Sequence, residues 1–418
     1  MHNLPHLVVS ISGHGFGHVA QTAPILNRLH ERMPQLRITV RSTVPAEHLG
    51  SRIHAPFTHL PGESDIGMVM SSALDVRVLE SCAAYREFHT KWNERIAVEA
   101  TMLRELKADF VFSNVGYLPL AGAQRAGIPN AALCSLNWAD IYRHYCGDAS
   151  DSVRADPSTA PARGTPINPP PLRSDPSTGS GGTVDVLSDD PSAGLARTAY
   201  ETIAAQIHDC YANADAFLRA TPGMSMTSLP NLISVSPIAA IGTNRRAELN
   251  QRLKLSTDEK LVLISLGGIA SRLPVEEWPR IDGVRWLVQQ SWQVDHPDAI
   301  ILETLQTKNF CPGTRMSFSD LLASSDALIC KPGYGSFVEA ACSGVPVLYV
   351  SRADWPESPA LIAWLQQHGL CREVSRQALE QGRIAEVLEE IWNAPRPDPV
   401  IPEGGEQVAN WLAERLNL

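Results

Sequence analysis

Short apolar runs alternating with amphipathic stretches set the rhythm of this chain. Leu7-Val8-Val9-Ser10-Ile11 has the length of a strand and stops at a glycine cluster, Gly13-His14-Gly15-Phe16-Gly17-His18. In the stretch that follows, Ala23, Leu26 and Leu29 share one helical face and Arg28 and Arg32 another, and Leu36-Arg37-Ile38-Thr39-Val40 reads as the next strand. Strand, helix, strand at this spacing predicts a βαβ unit and hence a parallel sheet. Asp109–Ser113 and Asn130–Cys134 repeat the theme around a helical segment near Leu120–Ala126. After a helix at Arg197–Tyr211 comes a strand-like Ala216-Phe217-Leu218.

A second series opens at Leu261–Ser265, which ends in Gly267-Gly268. Ala299-Ile300-Ile301-Leu302 follows, with Glu303 at its end, then Ala327–Cys330 and Val345–Val350. Gln407–Leu416 reads as an amphipathic helix with Val408, Trp411, Leu412 and Leu416 on one side. The expected fold class is therefore α/β, two Rossmann-like domains facing across a cleft. The expected organisation is an N-terminal domain over 1–240, a C-terminal domain over 241–400 and a terminal helix over 401–418. Ligands bind such sheets beyond the carboxyl ends of their strands.

Between Gly147 and Gly194 the texture changes to proline, serine, glycine and aspartate, including Pro-Ile-Asn-Pro-Pro-Pro and Ser-Thr-Gly-Ser-Gly-Gly. Such composition cannot bury a core, and the segment reads as a disordered insertion in the first domain.

Composition narrows the function classes. Of 418 residues, 45 are acidic and 35 basic, and the net charge of −10 excludes the basic footprint of a nucleic-acid binder. No apolar stretch approaches membrane-span length, and Met1–Ile11 holds no Lys or Arg, so neither a transmembrane segment nor a secretory leader is expected. The eight cysteines contain no Cys-x-x-Cys pair and read as reduced, buried thiols, which fits a cytoplasmic protein.

Two glycine turns carry candidate chemistry. In Lys331-Pro332-Gly333-Tyr334-Gly335-Ser336-Phe337-Val338-Glu339 a strand runs into a turn and a helix is expected to start at Ser336. Free N–H groups at such a start favour an anion such as a diphosphate. The same residues also spell a capping box, Ser336-x-x-Glu339, which needs no ligand. Gly267 and Gly268 add a second turn in the same sheet.

At the first turn, Gly13, His14, Gly15 and Gly17 lead to His18, where a dinucleotide fingerprint would have its third glycine. No acid follows Val40-Arg41-Ser42 to hold a ribose, so an NAD site is not expected. His18 at a helix start is kept neutral and basic, which suits a general base, although a packing or capping role is the simpler alternative. His14 and His18 have metal-like spacing, but no third ligand stands out and no metal is expected. Ser351-Arg352-Ala353-Asp354-Trp355-Pro356-Glu357 follows a strand end, where Asp354 and Glu357 would suit sugar hydroxyls or simply be solvated.

At these residues the chain becomes recognisable. The glycine cluster at Gly13–His18, Asn137-Trp138-Ala139-Asp140-Ile141-Tyr142, Gly333-Tyr334-Gly335-Ser336-x-x-Glu339-Ala340, Ala220–Met224, Arg352–Glu357 and Glu403-Gly404-Gly405 resemble the glycosyltransferase-like half of plant L-arabinokinases. More distant similarity extends to the peptidoglycan N-acetylglucosaminyl transferase and to the UDP-sugar hydrolase of pseudaminic acid synthesis. The resemblance implies a glycosyltransferase-B fold, a nucleotide-sugar donor held by the C-terminal domain, and no cofactor. It would make Glu339 the ribose ligand, Gly333, Gly335 and Ser336 the diphosphate cradle, and His18 the base. Tyr334, Gly267 and Gly268 would join the donor site, and Asn137, Trp138 and Asp140 the acceptor side. That family commonly has a basic residue near Gln21, so an anionic contact there is not expected in this chain. No sugar-kinase half follows Leu418, so arabinose phosphorylation is not implied. The expectation is a metal-independent glycosyl transfer from a UDP-linked donor to an acceptor that is left open. Hydrolysis of the same donor and a non-catalytic nucleotide-sugar-binding module are the alternatives.

Overall fold

The computed structural model describes residues 4–152, 191–307 and 315–416. Among them, seven parallel strands form a first sheet: β1 (His6–Ile11), β2 (Arg37–Arg41), β3 (Thr58–Leu60), β4 (Phe110–Asn114), β5 (Asn130–Cys134), β6 (Ala216–Ala220) and β7 (Leu232–Val235). Their spatial order is β3-β2-β1-β4-β5-β6-β7. A second parallel sheet of six strands holds β8 (Lys260–Ser265), β9 (Val284–Val288), β10 (Ala299–Ile301), β11 (Ala327–Cys330), β12 (Val347–Val350) and β13 (Cys371–Val374), in the order β10-β9-β8-β11-β12-β13. Both sheets are doubly wound, as the two series of apolar runs predict. Chain order reverses beside β1 in one and beside β8 in the other, which opens a crevice at each switch point.

The strands are apolar on both faces because helices cover both. All six residues of β1 are buried, as are all five of β4 and of β5. One apolar cluster joins the two halves. It runs from Leu7 and Val19 through Phe337 and Ala340 to Val408 and Leu412. The terminal helix Gly404–Leu416 returns to the first half and lies on the helix Gly17–Arg32, where Arg32 Nε donates to Asn410 Oδ1 at 2.8 Å. No helix among the described residues is long and apolar enough to cross a membrane.

Three local expectations change. The helix Trp138–Ser152 runs past Gly147, and the next helix starts at Pro191 rather than near Arg197. The expected insertion is therefore shorter at both ends, and its centre, 153–190, lies outside the described residues. Cys82 and Cys146 form a disulfide between two helices, which corrects the reading of uniformly reduced thiols. Cys134, Cys210, Cys330, Cys342 and Cys371 are free and buried. Finally, the helix after β11 starts at Tyr334, with Gly333 as its N-cap and no side-chain cap. Ser336 is thus already inside the helix, and the capping box that its spacing to Glu339 suggested does not form.

Candidate functional site

The carboxyl ends of both sheets face one cavity of about 720 Å³, within the usual range for small-molecule sites. From the first half, the turn after β1 contributes His14–His18, and the turn after β5 contributes Ser135 and Leu136. From the second half come Gly267 and Gly268 after β8, Lys331–Ser336 and Glu339 after β11, and Arg352, Trp355 and Glu357 after β12.

His18 is 7% exposed, and its Nδ1 lies 3.0 Å from Asn114 Oδ1. Asn114 ends β4 in register with Ile11 of β1, so the switch point itself brings the two side chains together. The neighbours of Asn114 fix its amide. Asn114 Nδ2 donates to Gln21 Oε1 at 3.0 Å, to Thr22 Oγ1 at 3.0 Å and to the His18 carbonyl at 3.3 Å. Its oxygen is therefore the atom facing the ring, and Nδ1–H must donate to it, leaving the Nε2 lone pair free. Burial pushes the His18 pKa down to about 4, with Lys331 adding to the effect and the Asn114 bond opposing it. His18 is a neutral base at any ordinary pH.

The hydrogen bonds continue in one direction across the cleft. Gln21 Nε2 donates to Ser135 Oγ at 2.8 Å, and Ser135 Oγ donates to Glu357 Oε1 at 2.5 Å. Gln21, at which no anionic contact was expected, is thus buried inside this chain. Trp355 Nε1 donates to Glu357 Oε2 at 3.3 Å, and burial raises the pKa of the Glu357 carboxyl.

Lys331 supplies positive charge between the glycine turns. A Cβ on Gly267 would sit 3.8 Å from Lys331 Cε, and one on Gly333 would sit 3.6 Å from Nζ. Burial, then the nearby Arg352 guanidinium, lowers the Lys331 pKa to about 8. Gly267 has φ +87°, a conformation that only glycine adopts freely. Gly335 serves a close approach of helices: its Cβ would come 3.0 Å from that of Ala20.

Glu339 is 1% exposed, and its carboxylate meets a partner from the other half. Arg52, the last residue of the helix Ala46–Arg52, donates from Nη1 to Oε1 at 2.5 Å and approaches Oε2 with Nη2 at 3.4 Å. The guanidinium also lies 5.1 Å from the Phe318 ring centroid.

Other expected residues take different places. His14 packs in an aromatic layer, parallel to Trp355 at 5.8 Å and edge-on to Trp138 at 5.1 Å, and burial lowers its pKa to about 3. Tyr334 lines the cavity, but its hydroxyl accepts from Ile238 N and donates to the Thr221 carbonyl, tying down the crossover between halves. Asn137 Oδ1 accepts from Asp140 N at 2.8 Å, holding the start of the helix Trp138–Ser152. Asn137, Trp138 and Asp140 do not line the cavity, and neither does Asp354, which meets the Tyr145 hydroxyl. Asn114, Arg52 and Ser135 escaped the sequence reading. Asn114 closes a recognised strand end and was the most findable, whereas Arg52 lies on a helix too short to show a period.

No family model matches the chain. It is 24% identical over 415 residues to L-arabinokinase of Arabidopsis thaliana, covering 98% of this chain and 34% of that protein. The chain thus spans about a third of the length of the curated relative it matches. Among solved structures, the glycotransferase of kitacinnamycin matches with TM-score 0.55 and 14% identity, over 99% of this chain and 95% of its own. LpCGTa, solved in complex with UDP, matches with TM-score 0.53 and 15% identity over 100% of both chains. CalG4, the calicheamicin glycosyltransferase, matches with TM-score 0.52 and 14% identity over 99% of both. Two doubly wound sheets meeting at one cavity, shared end to end with these proteins, show that the chain has the glycosyltransferase-B fold.

Proposed function

We propose that the protein transfers a sugar from a UDP-linked donor to an acceptor hydroxyl, without a metal ion. The observation that carries this reading is a neutral, tautomer-fixed His18 in the same cavity as Lys331 and a helix start left free of side-chain caps. His18 Nε2 takes the acceptor proton as the acceptor oxygen attacks the anomeric carbon. The bond to the diphosphate oxygen breaks, and its electron pair leaves with the diphosphate. Lys331 and the N–H groups around Gly333, Gly335 and Ser336 meet that charge, as fixed donors do in other leaving-group sites. Glu339 binds the ribose hydroxyls once Arg52 has moved aside, and Glu357 bounds the sugar end. The UDP bound by LpCGTa supports the choice of donor class.

UDP should raise the thermal midpoint of the protein, as any ligand of the folded state must. With a UDP-sugar that turns over, His18→Ala should keep UDP affinity and lose about 10²–10⁴ in rate. Unchanged turnover would end the assignment of His18 as base. A UDP-sugar that binds but never turns over would leave the binding-module reading in its place.

A further inference from the structure

The cavity wall carries a second cation besides Lys331, and that cation is short of partners. Arg352 lines the cavity just after β12 and is only 3% exposed, with its guanidinium carbon 3.9 Å from the Trp355 ring centroid. Its Nε has no hydrogen-bond partner among the described residues. Its Nη2 reaches the Met70 sulfur at 3.7 Å, a weak acceptor. Nε and Nη2 form one edge of the guanidinium, the fork that a carboxylate fills with two parallel bonds. Three carboxylates lie near Arg352, and each is committed elsewhere. Asp354 Oδ2 accepts from the Tyr145 hydroxyl at 3.1 Å, and both oxygens of Asp75 accept from Arg376 at 3.0 Å. Glu357 accepts from Ser135 Oγ and Trp355 Nε1. His14 Nε2, on the same cavity wall and against the same Trp355 ring, also lacks a partner. Buried polar groups are nearly always hydrogen-bonded, and a guanidinium cannot shed its proton to escape that demand. Two such groups on one cavity wall mark where a ligand supplies the missing partners.

We propose that Arg352 binds a carboxylate on the transferred sugar, so that the donor is a UDP-hexuronate rather than a neutral UDP-sugar. This rests on the reading of the donor cradle given above and narrows it. The register of β11 and β12 pairs Cys330 with Tyr349, so Lys331 and Arg352 leave neighbouring strands, Arg352 two residues further along. Lys331 and the helix start hold the diphosphate, and Arg352, beside Glu357 at the sugar end, takes the acid. The Met70 side chain, unbranched and flexible, gives up the Nε–Nη2 edge to the incoming carboxylate. Glu357 keeps its bonds to Ser135 and Trp355 and does not compete for Arg352. The sugar carboxylate takes no part in the transfer: the bonds made and broken are those given above.

Titration calorimetry on the full chain compares UDP, UDP-glucose, UDP-galactose, UDP-glucuronate and UDP-galacturonate. One uronate should bind about 10–100-fold tighter than its neutral counterpart, the gain from one charged, hydrogen-bonded contact. Arg352→Gln should abolish that preference, and Arg352→Lys, which keeps the charge without the fork, should restore part of it. Equal affinities within both acidic and neutral pairs would overturn the proposal in the wild type, with no variant needed. A preference that survives Arg352→Gln in folded protein would overturn it too, because another group would then hold the acid. An acid on the acceptor is the rival source of the same chemistry. If the UDP complex binds glycerate more tightly than glycerol while the uronates gain nothing, the assignment to the sugar falls. Failure of UDP itself to bind would instead remove the donor cradle, and this proposal with it.

Discussion

Consider Arg52→Ala, which removes the guanidinium now bound to the carboxylate assigned to the ribose. Glu339 has 2% side-chain exposure and Arg52 13%, so the pair is largely out of water. A charged hydrogen bond of this kind is worth about 1.5–3 kcal/mol. In the wild type the incoming ribose must first break it. In the variant it is already gone, and the ribose hydroxyls satisfy a carboxylate that would otherwise stay buried and unpaired. UDP affinity should therefore rise by about 10–100-fold, because 1.4 kcal/mol is a factor of ten. The unliganded variant should also be less stable by about 3–5 kcal/mol, the usual result of stranding one member of a buried pair. Titration calorimetry with UDP measures the first effect and thermal unfolding the second. Glu339→Gln is the control, since it abolishes the pair and weakens the ribose contact together. If Arg52→Ala binds UDP no more tightly than the wild type, Arg52 is not a competitor of the ribose and the displacement step is wrong.

Two further outcomes follow from the charges in the cavity. Lys331→Met should weaken UDP by about 10–100-fold, one charge-assisted contact, while leaving uridine binding unchanged; a parallel loss for both ligands would move Lys331 away from the diphosphate. Burial lowers the pKa of His18 and His48 to about 4 and that of His14 to about 3, against an unfolded value of about 6.5. Between those values the unfolded chain binds more protons than the folded one, so stability should be complete above pH 6.5 and fall as pH drops toward 4. A thermal midpoint that stays flat across that window in His-containing protein would contradict the buried, neutral histidines.

Much of the frame was legible because parallel strands covered on both faces leave mostly apolar runs, as in β1, β4 and β5. The glycine turns were legible too, since each follows such a run. Ser336 and Glu339 were ambiguous in sequence: their spacing fits a cap and a ligand equally well. The helix start at Tyr334 decides against the cap, and that boundary depends on Gly333 and on the packing of Gly335 against Ala20, which no local pattern encodes. Arg52 and Glu339 are 287 positions apart, and Cys82 and Cys146 are 64 apart. The first pairing is set by how the two sheets face each other and the second by how two helices of the first half pack, so neither leaves a trace in periodicity.

The return of the terminal helix to the first half has a mechanical consequence. The chain passes between the halves twice, once beyond Val235 and once before Gly404. Gly404 N donates to the Pro237 carbonyl at 3.0 Å, and Gln407 Oε1 accepts from Ser236 N at 2.8 Å. The two passages are thus buttoned to each other and act as one doubled pivot rather than two separate cords. A body hung from a single stout pivot can swing but cannot slide sideways. His18 and Lys331 would then separate and approach along a fixed arc, and each closure would return them to the same spacing.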